Sequence, residues 1–423
     1  MKVLVYGNGA RENAIAWKIS QSNLLSKLYL AECNDGFKHL GEIIEYLDFQ
    51  DLAAKSRELG INLLVVGPEL PLSQGIVDVF KCHGIPSVGV TKDWARLESS
   101  KSFAKDFMNR NSISTASYTI IEDVSQIGEV LDAANYPVVL KADGLAAGKG
   151  VSIVNTRSEA QDLLEDFLNG KYSEASKKVV VEEFIKGEEL SLISLWDGKT
   201  IVPLVCARDY KRLLEKNEGP NTGGMGSYCP VELTNVQKRW VDEYLKNLQS
   251  ALIKENADFT GVIYSGLMMN DSGLYVLEYN MRFGDPETQA LMMHLDSDLL
   301  EIFYLLVSKR LSEVVLDWKN GISACLVIAS EGYPESPKKG SEIKNVDFIK
   351  SELDVDIFYA GVKNSKNCLV SNGGRVLSIC KNADNPYPFL YAAANRLEFK
   401  DKIYRGDIGG YNAGSCYSSG FSK

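Results

Sequence analysis

The clearest chemical signal in the sequence is a run of three polar side chains in an otherwise apolar stretch, Leu277-Glu278-Tyr279-Asn280-Met281-Arg282. Read as a β-strand, it puts Glu278, Asn280 and Arg282 on one face and Leu277, Tyr279 and Met281 on the other. A carboxylate and an amide oxygen two residues apart are hard ligands of the kind Mg²⁺ takes, since it leaves most of its shell to water and phosphate oxygens. Arg282 extends the same face toward an anion. The residues that follow, Phe283-Gly284-Asp285-Pro286-Glu287, predict a helix start with Asp285 as N-cap and Pro286 in the first helical position.

A second cluster begins at Lys141, a lysine inside the apolar run Val138–Ala142. Buried there, its ammonium requires an anionic partner. The loop Gly144-Leu145-Ala146-Ala147-Gly148-Lys149-Gly150 follows, small enough for backbone amides to close over phosphate and carrying a second lysine. It lacks the Gly-Lys-Ser/Thr ending of a Walker loop, so a surface hairpin with solvated lysines is its alternative reading. Glu182-Glu183-Phe184-Ile185 and Gly187-Glu188-Glu189 form an acidic strand end, where a carboxylate accepts from ribose hydroxyls and backbone meets a base edge. Near the N-terminus, Gly7-Asn8-Gly9-Ala10-Arg11-Glu12 is a glycine turn aimed at an anion. Glu12 stands where a dinucleotide fingerprint has its third glycine, although Glu32 lies near the expected distance; Arg11 suits a single phosphate better. A ligand-free strand-to-helix turn and a nicotinamide site are the alternatives. Asp209-Tyr210-Lys211-Arg212, followed by Gly219–Gly226, offers a further anion site or a surface loop.

These residues need a scaffold of several units. Residues 1–90 alternate short strands (Val3–Tyr6, Leu28–Ala31, Ile61–Val66, Pro86–Val90) with helices (Glu12–Ser20, Asp51–Leu59, Pro71–Cys82), which predicts a parallel α/β sheet. A helix over Trp94–Asn111 leads to a small α+β unit ending at Ile185. Two hairpins follow, Leu190–Ala207 turning at Asp197-Gly198 and Gly261–Arg282 turning at Asp271–Gly273, with a long helix Val236–Asn256 between them. Helices over Asp285–His294 and Asp298–Val307 precede a last, strand-rich domain from near Gly321.

Composition narrows the function. With 423 residues the chain has material for two to four domains. Its 46 Lys+Arg against 56 Asp+Glu give a charge of -10, which opposes nucleic acid and anionic membranes. No apolar run approaches the ~18 residues of a membrane span, and a cytoplasmic location is expected. Eight cysteines without a Cys-x-x-Cys pair read as small core residues, and three scattered histidines leave little material for a triad.

Taken together, Lys141, the small-residue loop, the Glu182–Glu189 segment and Glu278-x-Asn280 resemble the ATP-grasp ligases. The motifs GNGARENA (7–14), VGPELPL (66–72), KADGLAAGKGV (141–151), GPNTGGMG (219–226) and RFGDPETQ (282–289) narrow the resemblance to the phosphoribosylamine-glycine ligase family, over essentially the whole chain. The resemblance implies a mixed α/β and α+β multidomain fold. Its parts are an N-terminal parallel-sheet substrate domain (1–99), an ATP-grasp core (100–118 and 190–320), a small lid (119–189) and a C-terminal β-rich domain (321–423). It also implies ATP-dependent joining of glycine to 5-phosphoribosylamine through a glycyl phosphate, with Mg²⁺ or Mn²⁺, in a monomer with no nucleic-acid or membrane partner.

Residue by residue, the resemblance gives Lys101 and Lys141 to the ATP phosphates, with Gly148 and Lys149 on the covering loop. Glu182, Glu183, Phe184 and Ile185 go to adenine, Glu189 to ribose, and Glu278 and Asn280 to the metal. Gly9, Ala10, Arg11, Glu12, Glu69, Gly223 and Gly224 go to the ribosylamine side. Asp209, Lys211, Arg282, Asp285 and Glu287 are assigned to catalysis. Four departures stand out: Ala10 for glycine and Asn13 for histidine in the first motif, Tyr210 for histidine beside Lys211, and Arg208 for glutamine; in addition, Gly410 sits where tryptophan is usual. If Asn13 weakens an acid–base step, Asn13→His is expected to restore rate.

Overall fold

A computed structural model of the chain describes residues 1–145, 150–170 and 177–410. Its N-terminal part is a five-stranded, wholly parallel sheet in the order Glu42–Ile43, Lys27–Ala31, Lys2–Tyr6, Leu63–Val66, Ser87–Val88. The short edge strand Glu42–Ile43 carries no alternation and was not anticipated. Strand order reverses at Lys2–Tyr6, so the turns after Tyr6 and after Val66 open a crevice between them, where open parallel sheets bind ligands.

The expected helix Pro71–Cys82 is two helices, Glu69–Gln74 and Ile76–Cys82, because Gly75 adopts φ +93°. The expected helix Trp94–Asn111 is likewise divided, into Arg96–Ser99 and Lys101–Arg110. Ser100 is extended there and its side chain caps the second helix by accepting from the Phe103 amide. Lys101 thereby becomes the first helical residue.

The segment expected to form the lid is an antiparallel sheet, Tyr118–Ile121, Val179–Glu183, Val138–Ala142, Val151–Val154, covered by helix Arg157–Leu168. A second sheet joins Ile201–Pro203, Glu188–Trp196, Gly261–Asn270 and Gly273–Asn280. In its last pair the register shifts, Gly266 facing Glu278 and Leu267 facing Val276, so Leu277 is the extra residue of a β-bulge. Strict alternation therefore fails at one place. Leu274, Val276, Tyr279 and Met281 face the core, while Leu277 turns to the cleft with Glu278.

The third sheet runs Arg208–Asp209, Gly226–Cys229, Ile322–Ser330, Arg375–Ala383, Asp356–Tyr359, with Lys402–Ile403 pairing the last residues of Ile322–Ser330. The strands after Gly321 thus extend a sheet begun by the segment around Asp209, and the helices Val346–Leu353 and Tyr387–Arg396 lie in the same part of the chain. Among the cysteines, Cys229, Cys325 and Cys380 are buried as expected, Cys33, Cys206 and Cys368 are half-buried, and Cys82 is exposed because it ends a surface helix; Cys416 lies outside the described residues. Among the described residues no helix is long and apolar enough to cross a membrane.

Candidate active site

Two cavities open along the cleft between these sheets, of about 710 Å³ and 660 Å³. The first runs from the N-terminal crevice to the C-terminal sheet. The second lies between the lid and the hairpin sheet. They meet at Val151, Asp209, Lys211, Thr222 and Glu278, which line both.

On the lid side, the partner demanded by Lys141 is Glu182. Lys141 Nζ lies 2.9 Å from Glu182 Oε2 and donates to the Leu277 carbonyl at 2.9 Å. A second buried lysine, Lys105, reaches the same Glu182 oxygen at 3.3 Å and donates to Thr115 Oγ1 at 2.7 Å. Burial, helped by repulsion from Lys141 and opposed by Glu182, lowers the Lys105 ammonium to about 8. Lys105 was not anticipated, although a lysine one turn after Lys101 on the apolar face of Ala104, Phe107 and Met108 is a readable signal. Ile153, Phe184, Ile185, Met268 and Leu277 supply apolar surface to this cavity, beside Glu183 and Glu189. Ser117 Oγ donates to Glu183, and Lys211 Nζ donates to Glu189 Oε2 at 2.6 Å.

At the junction, burial opposes ionisation of Glu278, but Lys101, Lys211 and Lys141, with a hydrogen bond from Asn280, hold its carboxyl below the usual range. Burial raises Asp209 to about 7, with Glu287, Glu189 and Glu278 adding to the effect and Lys211 opposing it. Lys211 is held well above its ordinary value by Asp209 and Glu189 in spite of burial. Glu287 is buried and accepts from Ser191 Oγ at 3.0 Å, and Ser191 also meets Tyr264 OH at 3.0 Å. Among the described residues no cluster of three His, Cys, Asp or Glu is arranged as a metal cage. Glu278 and Asn280 supply the one or two oxygens that Mg²⁺ takes from protein when phosphate completes its shell, so the donor chemistry fits.

On the N-terminal side the glycine turn differs from expectation. Glu12 is buried at 1 % exposure and folds back beneath the turn, its Oε2 accepting from the Gly9 amide at 2.6 Å and its Oε1 pairing with Arg11 Nε at 2.5 Å. A Cβ on Gly67 would lie 1.9 Å from Glu12 Oε1. The carboxylate thus takes a donor that a dinucleotide phosphate would use, and Tyr46 OH donates to Glu32. The turn is internally satisfied, which argues against a nicotinamide site. Arg11 Nη1 also donates to the Phe283 carbonyl at 3.1 Å.

Asp285 does not cap the following helix, which starts at Glu287 with Pro286 as N-cap. Its carboxylate instead takes Arg375 Nη2 at 3.0 Å and Gln289 Nε2 at 2.8 Å. Burial opposes its ionisation, but Arg375 and Arg11 hold the carboxyl below the usual range. Arg375 also donates to the carbonyls of Gly223 and Asp285, and Tyr333 OH accepts from the Gly223 amide. Arg375, Tyr333 and Asn372 bring the C-terminal sheet into the cavity wall and were not anticipated; Gly373-Gly374-Arg375 before an apolar run is the signal they left.

Of the assigned residues, Gly9, Arg11, Glu12, Glu69, Lys101, Gly223, Asn280, Arg282, Asp285 and Glu287 line the first cavity, and Lys141, Glu182, Glu183, Phe184, Ile185 and Glu189 the second. Ala10 is in the core, and Gly224 is buried against Pro286; neither lines the cavities. Gly148 and Lys149 lie outside the described residues. Asn13 is buried away from the cavities, its Oδ1 accepting from the Tyr359 amide at 2.7 Å. It ties the first helix to the C-terminal sheet, beside the edge-on contact of Trp17 and Phe358, and an acid–base part is not its place. Tyr210 lines the second cavity and anchors its turn, its OH accepting from the Gly409 amide and its ring stacked under Arg405. Arg208 bridges to Glu188 and the Glu189 carbonyl.

Three family profiles cover nearly the whole chain: phosphoribosylglycinamide synthetase N domain over residues 1–98, its ATP-grasp (A) domain over 99–288 and its C domain over 323–411. The phosphoribosylamine–glycine ligase of Halalkalibacterium halodurans is 42% identical over 417 residues, 97% of this chain and 96% of that protein. That of Brucella melitensis is 40% identical over 416 residues, 97% of each. The crystal structure of phosphoribosylamine–glycine ligase from Thermotoga maritima superposes with a TM-score of 0.81 at 32% identity, covering 96% of this chain and 100% of that one. The biotin carboxylase domain of Hydrogenobacter thermophilus 2-oxoglutarate carboxylase, at 16% identity and a TM-score of 0.71, shares the fold. With its profiles in order and full-length relatives at this identity, the chain belongs to the phosphoribosylamine–glycine ligase family.

Proposed function

We infer that the chain is an ATP-dependent ligase that joins glycine to 5-phosphoribosylamine in purine biosynthesis, giving glycinamide ribonucleotide, ADP and phosphate. Its family membership supports this activity. The observation that carries the site reading is the meeting of the two cavities at Asp209, Lys211 and Glu278, where a nucleotide on one side and a small substrate on the other come within reach of the same residues.

In this reading ATP lies in the lid cavity with its phosphates reaching the junction, Lys141 and, from the first cavity, Lys101 beside them, Ile185 and its neighbours against adenine, and Glu189 at ribose. Glu278 and Asn280 would hold Mg²⁺ or Mn²⁺, which when bound neutralises phosphate charge. Glycine and the ribosylamine occupy the first cavity. A glycine carboxylate oxygen attacks the terminal phosphorus, the bond to ADP breaks, and a glycyl phosphate forms. The ribosylamine nitrogen then attacks the acyl carbon, phosphate leaves with its bonding pair, and the nitrogen gives up a proton. Asp209, raised to about 7, is suited to accept that proton. No nucleophile from the chain is needed; its groups orient the reactants and stabilise charge. The reaction's use of ATP and small metabolites accords with a cytoplasmic location. Phosphate release from Mg-ATP should require glycine and freshly prepared phosphoribosylamine together, and release independent of glycine contradicts this reading.

A further inference from the structure

Glu98 belongs to none of the motifs above. It sits in the turn Arg96–Ser99, 6% exposed, in the wall of the first cavity. Both its oxygens are committed to the end of the metal-side strand. Oε2 accepts from the Met281 amide at 2.7 Å, and Oε1 pairs with Arg282 Nη2 at 2.9 Å. Arg282 Nη2 in turn donates to Asn280 Oδ1 at 3.0 Å, and Asn280 bonds to Glu278. Arg282 Nη1 is held by the Phe283 carbonyl at 3.0 Å. That leaves Arg282 Nε buried without a hydrogen bond, 3.5 Å from Glu69 Oε2.

These contacts form one chain from the N-terminal side of the cleft to its junction: Glu98, Arg282, Asn280, Glu278. An amide oxygen has two lone pairs, so Asn280 can accept from Arg282 and still face a cation. Groups that orient a ligand set from behind tune its affinity by about 10–100-fold. Glu69 is the less rigid partner of Arg282, since it is partly exposed and its contact is longer. Glu98 is the buried one.

We propose that Glu98 is a positioning residue for the ligase reaction, fixing Arg282 and through it Asn280 and Glu278 in the single arrangement that faces both cavities. The proposal rests on the reading of Arg282, Asn280 and Glu278 given above. Its consequence is directional. Glu98→Gln keeps the size of the side chain and an oxygen for the Met281 amide, but presents Arg282 with an uncharged group. A role in folding alone is largely preserved by that change, whereas the charged grip on Arg282 is lost.

The test uses full-length protein in four forms: parent, Glu98→Gln, Arg282→Lys and the double variant. Glu98→Gln is expected to melt within a few degrees of the parent, to lose about 10–100-fold in kcat, and to weaken Mn²⁺ binding in the presence of a non-hydrolysable ATP analogue, read from the electron paramagnetic resonance of free Mn²⁺, by about tenfold or more. The double variant is expected to be no worse than Arg282→Lys, because residues acting through one another are non-additive. Unchanged kcat and Mn²⁺ affinity in Glu98→Gln, or losses that multiply in the double variant, overturn the proposal. Full activity in Arg282→Lys alone overturns the reading of Arg282 itself, and the proposal with it.

Discussion

On the side of the cleft proposed for the nucleotide, two lysines share one carboxylate, Glu182, and Lys101, at the junction, forms no ion pair among the described residues. On the side proposed for the substrates each arginine has its own acid: Arg11 with Glu12, Arg282 with Glu98 and Glu69, Arg375 with Asp285. Against Glu182 alone, Lys101, Lys105 and Lys141 leave local cationic charge in excess, which suits a ligand carrying several negative charges, although acids outnumber bases over the cavity wall as a whole. The second sets three arginines against four carboxylates, so it carries no excess of cationic charge before anything binds. Its donors are fixed in direction instead, which suits recognition of a small zwitterion and a sugar by geometry. The net charge of -10 is irrelevant to both, since each balance is struck within one side of the cleft.

This contrast can be broken at its seam. Glu278 lines both cavities, so Glu278→Gln should lower kcat by about 10²-fold or more while leaving the fold intact; steady-state kinetics with a melting curve checks it, and near-parental kcat would mean the two sides do not share this group.

A smaller effect should distinguish the sides. Lys141→Met should raise KM for ATP by about tenfold or more with little change in KM for glycine, since a hydrogen bond to a charged group is worth about 1.5–3 kcal/mol. Arg375→Met should do the reverse, raising KM for glycine or the ribosylamine and sparing ATP. Equal effects of the two variants on all three substrates would dissolve the comparison.

The pH dependence of stability sharpens it further. Burial raises the Asp209 carboxyl to about 7, so in the metal-free protein the unfolded chain releases this proton from near pH 4 while the folded one keeps it until near 7. This contribution is intact below about pH 4 and is lost as pH rises toward 7. Asp209→Asn removes the penalty, and its Tm relative to the parent should climb by a few degrees across that interval and then level. A difference that is flat with pH would show Asp209 ionising at an ordinary value.

The smallest effect concerns Asn13. Asn13→His should not raise kcat, and it should cost about 1–2 kcal/mol of stability by displacing the amide oxygen that accepts from the part-buried Tyr359 amide. A rate gain would restore the acid–base reading of that position.

Legibility in the sequence followed the same division. Lys141, Glu182 to Glu189 and Glu278-x-Asn280 lie in short local motifs, and local alternation located all of them except where the bulge at Leu277 moved one side chain to the other face. Register shifts of that kind depend on the partner strand and have no local signature. The other side is assembled from residues far apart in sequence, Glu98 with Arg282 and Arg375 with Asp285, so Glu98 carried no signal alone and Arg375 only the two glycines before it. The glycine turn was legible as a turn but not as a filled one, because Glu12 folding under it depends on Gly67, which follows another strand of the sheet. Asn13 and Tyr210 looked like altered catalytic positions, and only packing against the C-terminal sheet gives them their structural roles.

The central claim is that a phosphoryl group crosses the seam between the cavities, from nucleotide to glycine, before the new bond forms. Glycine labelled with ¹⁸O in its carboxylate tests this directly in a single turnover with Mg-ATP and phosphoribosylamine. One labelled oxygen is predicted in the released phosphate, as an acyl phosphate requires. Unlabelled phosphate, with both labelled oxygens retained by the organic product or by glycine, would contradict the account.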